Sequence, residues 1–257
     1  HFNQSSMLRC AGRVDMEALK RSLNAIAKHH DVLRAQVKEG MLDVRAYDSD
    51  ACYYDFYEYQ IDDNSEVAGI SSMLQGTLDI ERGNMMRVTV FHGKECDYVF
   101  IIIHHLVVDG ISWRIIIEDL NIAYSSAKEG KEPKLPAKTH SYKYYAEAME
   151  RYKQSYALAQ EKGYWEKVRS LVTNMEGSQV DDYSRQFGYM SVQLDKNTTY
   201  ELLHNSNKAF NTEINDLLLT ALGRAYCRLS KKQDVSIQLE GHGREPINEP
   251  LEIDRTV

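Results

Sequence analysis

The chain has 257 residues, of which 43% are hydrophobic and 27% are charged, and its formal net charge is −7. This composition is that of an ordinary globular protein that is long enough to bury a sizeable core. The acidic balance argues against nucleic acid and anionic membrane surfaces as partners, since both bind basic patches. No apolar run approaches the roughly 20 residues that are needed to cross a bilayer.

The cysteines and the chain ends indicate the setting of the protein. Its four cysteines lie far apart and form no CxxC pair. We therefore expect a reduced, cytoplasmic environment with neither a disulfide framework nor a zinc site. The chain begins at His1 without a signal-like segment and ends at Val257 without a terminating turn, which predicts that it is part of a longer protein.

The first third of the chain predicts helices around a hairpin. Apolar residues at helical spacing predict an amphipathic helix over residues 15–30. Two β-rich runs, residues 33–37 and 42–47, flank Glu39 and Gly40 and predict a hairpin. A weaker helical pattern follows over residues 65–78.

A pair of strands and a helix are predicted next. The β-rich runs at residues 85–91 and 98–105 surround a polar turn. The second run is apolar on both faces, as in a central buried strand. Helical spacing resumes after Asp109 and Gly110, so a helix is expected to begin there.

The second half of the chain continues the alternation of predicted helices and strands. We expect a surface connector at residues 128–138, a tyrosine-rich helix at 141–169 and a polar link at 173–185. A strand at 189–194, a helix at 198–210, a helix with Thr212 as its N-cap and a strand at 235–240 follow. This order predicts an α/β protein with mixed sheets.

Two histidines end the central strand. His104 and His105 follow the apolar run directly, and titratable side chains there are costly unless they are paired or used. Imidazole titrates near neutrality and suits proton transfer. Successive strand residues point to opposite faces, so only one histidine enters a given cleft, and periodicity does not choose between them.

Asp109 and Gly110 lie where the chain turns from strand to helix. Asp-Gly is a turn pair, and its carboxylate can accept hydrogen bonds from local N–H groups or from an arginine. N–H groups at the start of the helix could stabilise an oxyanion. From these residues alone, a catalytic cluster and a structural turn with two core histidines are equally favoured. No third ligand has suggestive spacing, so no metal site is expected.

A second cluster, EGHGRE, occupies residues 240–245. Glu240 ends the polar face of an alternating run, and this face opens either to solvent or to a cleft. Gly241 and Gly243 allow a positive φ or close backbone approach. Arg244 could pair with a carboxylate such as Asp109 and hold the two clusters in register. The residues by themselves favour a solvated turn here.

Together, these clusters resemble the epimerization domains of nonribosomal peptide synthetases, which belong to the condensation-domain superfamily. HHLVVDG at residues 104–110 matches the HHxxxDG motif of the superfamily, and the ISWR that follows is typical of epimerization domains. DLLLTALG at 216–223 resembles their DxLLxAxG motif. EGHGRE separates them from ordinary condensation domains, and RTV at 255–257 resembles the beginning of a further motif.

The resemblance, which spans the whole chain, implies a two-lobed α/β fold like that of chloramphenicol acetyltransferase. Residues 1–175 would form the N-terminal lobe and residues 176–257 an incomplete C-terminal lobe, with the active site at their junction. The first motif of the family and most of its second lobe are missing from this sequence, so we expect truncation at both ends and inactivity of this stretch alone.

The implied reaction is inversion, from L to D, at the α-carbon of an aminoacyl or peptidyl thioester. The substrate is carried on the 4'-phosphopantetheine arm of a peptidyl carrier protein domain, and adjacent synthetase modules are further partners. By motif position His105 and Glu240 are the catalytic residues. Supporting roles fall to His104, Asp109, Gly110 and Arg244. The thioester itself acidifies the α-hydrogen, so neither a bound cofactor nor a metal is expected.

Two alternatives remain open. A condensation domain also uses the histidine of HHxxxDG, to form a peptide bond between two carrier-bound substrates. A fragment that only docks a carrier protein would catalyse neither reaction.

Overall fold

The computed structural model of the protein describes residues 2–171, 190–209, 211–244, 247 and 249–257. These residues form two compact units, one of residues 1–158 with 242–257 and the other of residues 159–241. The lobe boundary expected near residue 175 lies outside the described residues. No helix in the described part of the chain is long and apolar enough to span a membrane.

A four-stranded mixed sheet forms the centre of the first unit. Its strands are β1 (Asn3–Arg9), β4 (Asp55–Gln60), β5 (Met86–His92) and β6 (Asp97–His104), in the order β1-β6-β5-β4. The pairings β1–β6 and β5–β6 are antiparallel and β4–β5 is parallel. The strands predicted at 85–91 and 98–105 are confirmed, whereas β1 and β4 were not predicted.

The central strand β6 is buried on both faces, as predicted. Ile101 and Ile103 belong to one apolar cluster, and Phe100 and Ile102 belong to another. All four are at most 5% exposed. Burial of such side chains contributes about 1.5–3 kcal/mol each, so β6 has a fixed position, and its last residue, His104, is fixed with it.

Helices cover this sheet. The helices α1 (Met16–His29) and α3 (Gly110–Lys128) contribute to the first cluster, and α2 (Asn64–Gln75) contributes to the second. An aspartate caps each of them through a backbone N–H group, so the first turns are hydrogen-bonded. All three helices were predicted.

The predicted hairpin is also present, as β2 (Ala35–Lys38) and β3 (Met41–Val44) in an antiparallel pair. Glu39 and Gly40 have φ angles of 50° and 76°. Two successive positive φ angles are typical of a tight turn whose twist matches that of the strands.

The tyrosine-rich helix predicted at 141–169 is interrupted. It forms α4 (Tyr142–Tyr152) and α5 (Tyr156–Leu171). The Oγ of Ser155 lies 3.2 Å from the backbone N of Leu158, and the backbone N of Ser155 donates to the carbonyl of Tyr152. Serine side chains compete with helical hydrogen bonds in this way, so one helix ends and the next begins.

The second unit contains α6 (Lys196–His204), a 3-10 turn (Ser206–Ala209) and α7 (Ile214–Ser230). Both predicted helices are present, but the N-cap predicted for α7 is wrong. Glu213 occupies that position, and its backbone N donates to the carboxylate of Asp216 at 2.9 Å. The N-cap therefore lies one residue after Thr212, and the helix begins at Ile214.

Two strand predictions in this part of the chain are wrong for the described residues. Residues 190–194 and 235–240 are irregular, and residue 189 lies outside the described part. Alternating polar and apolar residues suit a strand, but a strand also needs a partner backbone. None of the assigned pairings includes either segment, so Glu240 follows an irregular segment rather than a strand.

Candidate active site around His105

A short turn, residues 105–109, joins the end of β6 to the start of α3. The backbone N of His105 donates to the carbonyl of Phe2 at 2.9 Å, and the N of Val107 donates to the carbonyl of His104 at 3.1 Å. Val107 and Val108 are each only 4% exposed, which anchors the turn in the core. The side chain of His105 therefore projects from a rigid support.

The backbone of its own turn holds Nδ1 of the His105 imidazole. Its Nδ1 lies 2.8 Å from the carbonyl oxygen of Val108. A carbonyl can only accept, so Nδ1 carries the proton and Nε2 is the basic nitrogen of the neutral ring. The ring of Phe2 stacks on the imidazole, with centroids 4.8 Å apart. This arrangement presents His105 as a proton acceptor through Nε2.

His104 has a different environment. Its backbone N donates to the carbonyl of Met85, and its Nδ1 accepts a hydrogen bond from the backbone N of Leu106 at 3.2 Å. Burial, with a smaller contribution from the charge of His105, lowers the pKa of His104. The neutral ring of His104 therefore shapes the turn, and its supporting role in the site stays a prediction.

Asp109 has both carboxylate oxygens occupied. Its Oδ1 accepts from the backbone N and the Oγ of Ser112, at 2.7 and 2.8 Å, and so caps α3. Its Oδ2 forms an ion pair with Nη1 of Arg244. Burial alone would raise the pKa of Asp109, but the hydrogen bonds from Arg244 and Ser112 hold it below its ordinary value. The predicted pairing of Asp109 with Arg244 is confirmed, and its organising role in the site stays a prediction.

Arg244 connects α3 to the end of the chain. Its Nη2 donates to the carbonyl of Thr256 at 2.8 Å, and its backbone N donates to Nδ1 of His242 at 2.9 Å. Gly243 has a positive φ of 67°, which its glycine identity allows, whereas the φ of Gly241 is not positive. The EGHGRE motif thus uses one of its two glycines for an unusual backbone angle.

Gly110 is the exposed first residue of α3. A Cβ added there would meet nothing within 4 Å, and its φ is not positive. Neither crowding nor backbone strain explains the glycine. Open space beside a helix start fits the approach of a substrate, so the role expected for Gly110 stays a prediction.

Glu240 is exposed and belongs to the second compact unit, whereas His105 belongs to the first. The approach of the Glu240 carboxylate to the His105 imidazole stays a prediction from the sequence.

Two residues of the His105 environment were missed by sequence reasoning. The Nε2 of Gln4 lies 3.1 Å from Nε2 of His105, and the Oε1 of Gln4 accepts from Nε1 of Trp113 at 2.8 Å. Gln4 is 101 residues from His105 in sequence, so no local spacing could reveal the contact. The pairing of β1 with β6 brings them together.

One described cluster has the composition of a metal site. The ligand atoms of His29, His30 and Asp119 all lie within 4.8 Å of one another. However, one oxygen of Asp119 is 2.9 Å from Nε2 of His30, and the other pairs with the guanidinium of Arg255. A cation there would face this guanidinium, so the geometry fits a buried polar network that joins α1, α3 and the end of the chain.

Comparisons with known proteins show the family of this chain. A family model described as "Condensation domain" matches residues 1–257. The chain belongs to this family. Gramicidin S synthase 1 of Brevibacillus brevis is 38% identical over 267 residues, which cover 100% of this chain and 24% of that protein. Surfactin synthase subunit 1 of Bacillus subtilis (strain 168) is 36% identical over 270 residues, with coverage of 100% and 8%.

Solved structures give this Condensation-domain chain its fold. An epimerization domain from the third module of tyrocidine synthetase B matches with a TM-score of 0.86 and 32% identity, over 100% of this chain and 61% of that one. The first condensation domain of the calcium-dependent antibiotic synthetase matches with a TM-score of 0.66 and 17% identity, over 91% and 56%. The second likeness concerns the fold alone. The chain thus has a condensation-domain fold and spans a small part of its curated relatives.

Proposed function

We propose that this Condensation-family domain inverts the α-carbon of an aminoacyl or peptidyl thioester that a carrier protein holds on its phosphopantetheine arm. The observation that carries the proposal is the combination of a base-competent His105 with the EGHGRE motif. The similarity to an epimerization domain along the whole chain supports the same reaction.

The reaction requires two proton transfers at one carbon. Nε2 of His105 takes the α-proton, the electrons of the C–H bond move toward the thioester oxygen, and an enolate forms. A second group then returns a proton to the opposite face while the enolate collapses. Proton-transfer groups of this kind contribute about 100- to 10,000-fold each. The carboxyl group of Glu240 is the proposed second group, and either residue can start the cycle.

Asp109 does not take part in proton transfer in this proposal. Its carboxylate is engaged by Ser112 and Arg244, and its pKa is lowered by those contacts. A carboxylate in that state is a poor base and a good anchor. Asp109 and Arg244 therefore hold the turn that carries His105. The backbone at Gly110 is proposed to face the thioester oxygen.

Neither a metal nor an organic cofactor has a step in this mechanism, because the thioester carbonyl accepts the electrons. The proposed partners are a peptidyl carrier protein domain and adjacent synthetase modules. A cytoplasmic location likewise stays a prediction.

Peptide-bond formation is the second candidate, since the matching family model is described by condensation and HHxxxDG is common to both reactions. The two reactions are distinguished in the complete protein with a loaded carrier. Equilibration of an L-aminoacyl thioester with its D form, with solvent deuterium entering the α-carbon, supports epimerization. A dipeptide formed only when an acceptor amine is supplied, without deuterium entry, contradicts it. Carrier binding without either reaction indicates a docking domain.

A further inference from the structure

Three hydrogen bonds join Trp113, Gln4, His105 and Val108 in series, and the donor of each can be assigned. The indole N–H of Trp113 can only donate, so the atom of Gln4 that faces it, at 2.8 Å, is the carbonyl Oε1. This assignment turns the amide NH₂ of Gln4 toward Nε2 of His105, at 3.1 Å. The Nδ1–H of His105 in turn donates to the carbonyl of Val108. Each hydrogen bond fixes the direction of the next.

The fold places these groups on one side of the sheet. Gln4 on β1 is paired with Ile103 on β6, and the side chain of Ile103 belongs to the cluster beneath α1 and α3. Directly paired residues share a face of the sheet, so the side chain of Gln4 lies on the face of Ile103, and it reaches His105 in the turn that follows β6. Trp113 packs against the same cluster from α3. The contact between Gln4 and His105 therefore follows from the pairing of the strands.

We propose that Gln4 is a positioning residue that keeps His105 neutral, with the lone pair of Nε2 as acceptor, until the substrate takes the place of the amide. This inference rests on the proposed function. A protonated Nε2 would direct an N–H at the NH₂ group of Gln4, so two donors would oppose each other. The pair is therefore favourable only while the ring is neutral.

The same lone pair must accept the α-proton, so the amide of Gln4 moves aside when the α-carbon arrives. Displacement of the Gln4 amide breaks one neutral hydrogen bond, which contributes only about 0.5–1.5 kcal/mol in a protein. Before that moment, the donor N–H of the amide favours the neutral form of the ring. After proton transfer, the return of the amide toward Nε2 opposes the imidazolium, which promotes release of its proton to another group.

Charged and titratable groups act on this turn from several elements, and the N-terminal amino group also lowers the pKa of the neighbouring His104. His104 contributes from β6, and its own pKa is partly lowered by His105. The Asp109–Arg244 ion pair contributes from the start of α3, and its opposite charges largely cancel. From β1 the neighbour is Gln4, which carries no charge. Replacing Gln4 therefore changes the hydrogen-bond donor at Nε2 without removing a charge.

The test is to substitute Gln4 and measure each histidine separately in the complete protein. Exchange of the C2 hydrogen of imidazole for deuterium, read by mass spectrometry across pH, reports the pKa of individual histidines. Gln4→Glu keeps the size of the side chain and the acceptor for Trp113, but places a carboxylate at Nε2. The pKa of His105 should rise by about 1–3 units, the usual effect of an adjacent opposite charge. Gln4→Leu should raise it by up to about one unit, the equivalent of one neutral hydrogen bond.

The matched controls are Gln60→Glu and Gln60→Leu at the exposed end of β4, which should leave the pKa of His105 unchanged. α-Proton exchange by Gln4→Glu should fall at pH 7, because the raised pKa lowers the fraction of neutral His105, and it should recover at higher pH. An unchanged pKa of His105 in both Gln4 variants overturns the inference, whatever the activity. A raised pKa in a protein that never exchanges the α-proton supports the role of Gln4 and contradicts only the proposed function. If Gln4→Leu fails to fold, the isosteric Gln4→Glu decides alone.

Discussion

The carboxylate of Asp109 and the guanidinium of Arg244, 135 positions apart in the sequence, form an ion pair at the start of α3. The two side chains are 30% and 15% exposed, so water screens the pair only in part. The Asp109 carboxylate also caps the helix through Ser112. One side chain thus secures the turn of HHxxxDG and attaches it to the EGHGRE segment.

This geometry predicts that Asp109→Asn destabilises the protein mainly through loss of the ion pair. Asparagine is as good an N-cap as aspartate, so the cap at Ser112 is retained while Arg244 keeps an unpaired charge. For a partly buried pair we expect a loss of about 2 kcal/mol in the free energy of unfolding, between the values for surface and buried pairs. Urea denaturation at pH 7 measures it.

The matched control is Asp15→Asn, because Asp15 caps α1 in the same compact unit through the backbone N of Ala18 at 3.0 Å. We expect this variant to lose less than about 0.5 kcal/mol, since the cap is preserved. Equal losses for the two variants would show that the pairing with Arg244 adds no stability.

The lowered pKa of Asp109 makes this contribution dependent on pH. A carboxyl group whose folded pKa lies below its unfolded value of about 3.9 stabilises the protein fully above that value. The contribution is lost as the pH falls through the folded pKa. The difference in unfolding free energy between wild type and Asp109→Asn should therefore be largest near pH 7 and shrink below about pH 4. Urea titrations at several pH values measure it, and a difference that grows with acid would contradict the assignment.

Periodicity identified the elements with buried faces. The central strand β6 and the helices α1 and α3 present apolar side chains at regular spacing, and all three were predicted. The strands β1 and β4 lie at the edges of the sheet and have mostly half-buried or exposed residues. Their alternation is weak because much of their stability comes from pairing with β6 and β5. Residues 235–240 show the opposite case. Their polar and apolar residues alternate well, but none of the assigned strand pairings includes them and they are irregular.

The part of the site that could be predicted from the sequence is the part that depends on charged residues and on motifs. Opposite charges in two motifs predicted the pair of Asp109 with Arg244. The engagement of His104 by its own turn followed only from coordinates, since alternation could not tell the two histidines apart. Gln4 and Trp113 were missed because neutral polar residues far apart in sequence carry no pattern.

The two adjacent histidines should respond differently to the same substitution. In the complete protein with a loaded carrier, His105→Asn should lower α-proton exchange by about 100-fold or more, because the general base is lost. His104→Asn should keep exchange within about tenfold, since a side-chain oxygen can replace Nδ1 as acceptor for the N–H of Leu106. Deuterium entry at the α-carbon measures both.

The exposed His204→Asn on α6 serves as the control for this comparison and should behave as wild type. Normal α-proton exchange by His105→Asn would show that His105 is not the general base. If His104→Asn lost exchange as completely as His105→Asn while remaining folded, a purely structural role for His104 would be wrong.

Glu240→Gln tests the second proton-transfer group. The substitution keeps the size and polarity of the side chain but removes its titratable proton, so transfer on the face served by Glu240 should fall by about 100-fold or more. His105 would still exchange the α-proton on its own face. We therefore expect slow inversion, with deuterium entry retained from the stereoisomer whose α-hydrogen faces His105 and nearly absent from the other.

Glu166→Gln, a change at an exposed glutamate of the same compact unit, is the control and should alter the reaction of neither stereoisomer. Chiral chromatography with mass spectrometry measures configuration and deuterium together, and an equal loss of exchange from both stereoisomers would mean that Glu240 does not serve one face alone.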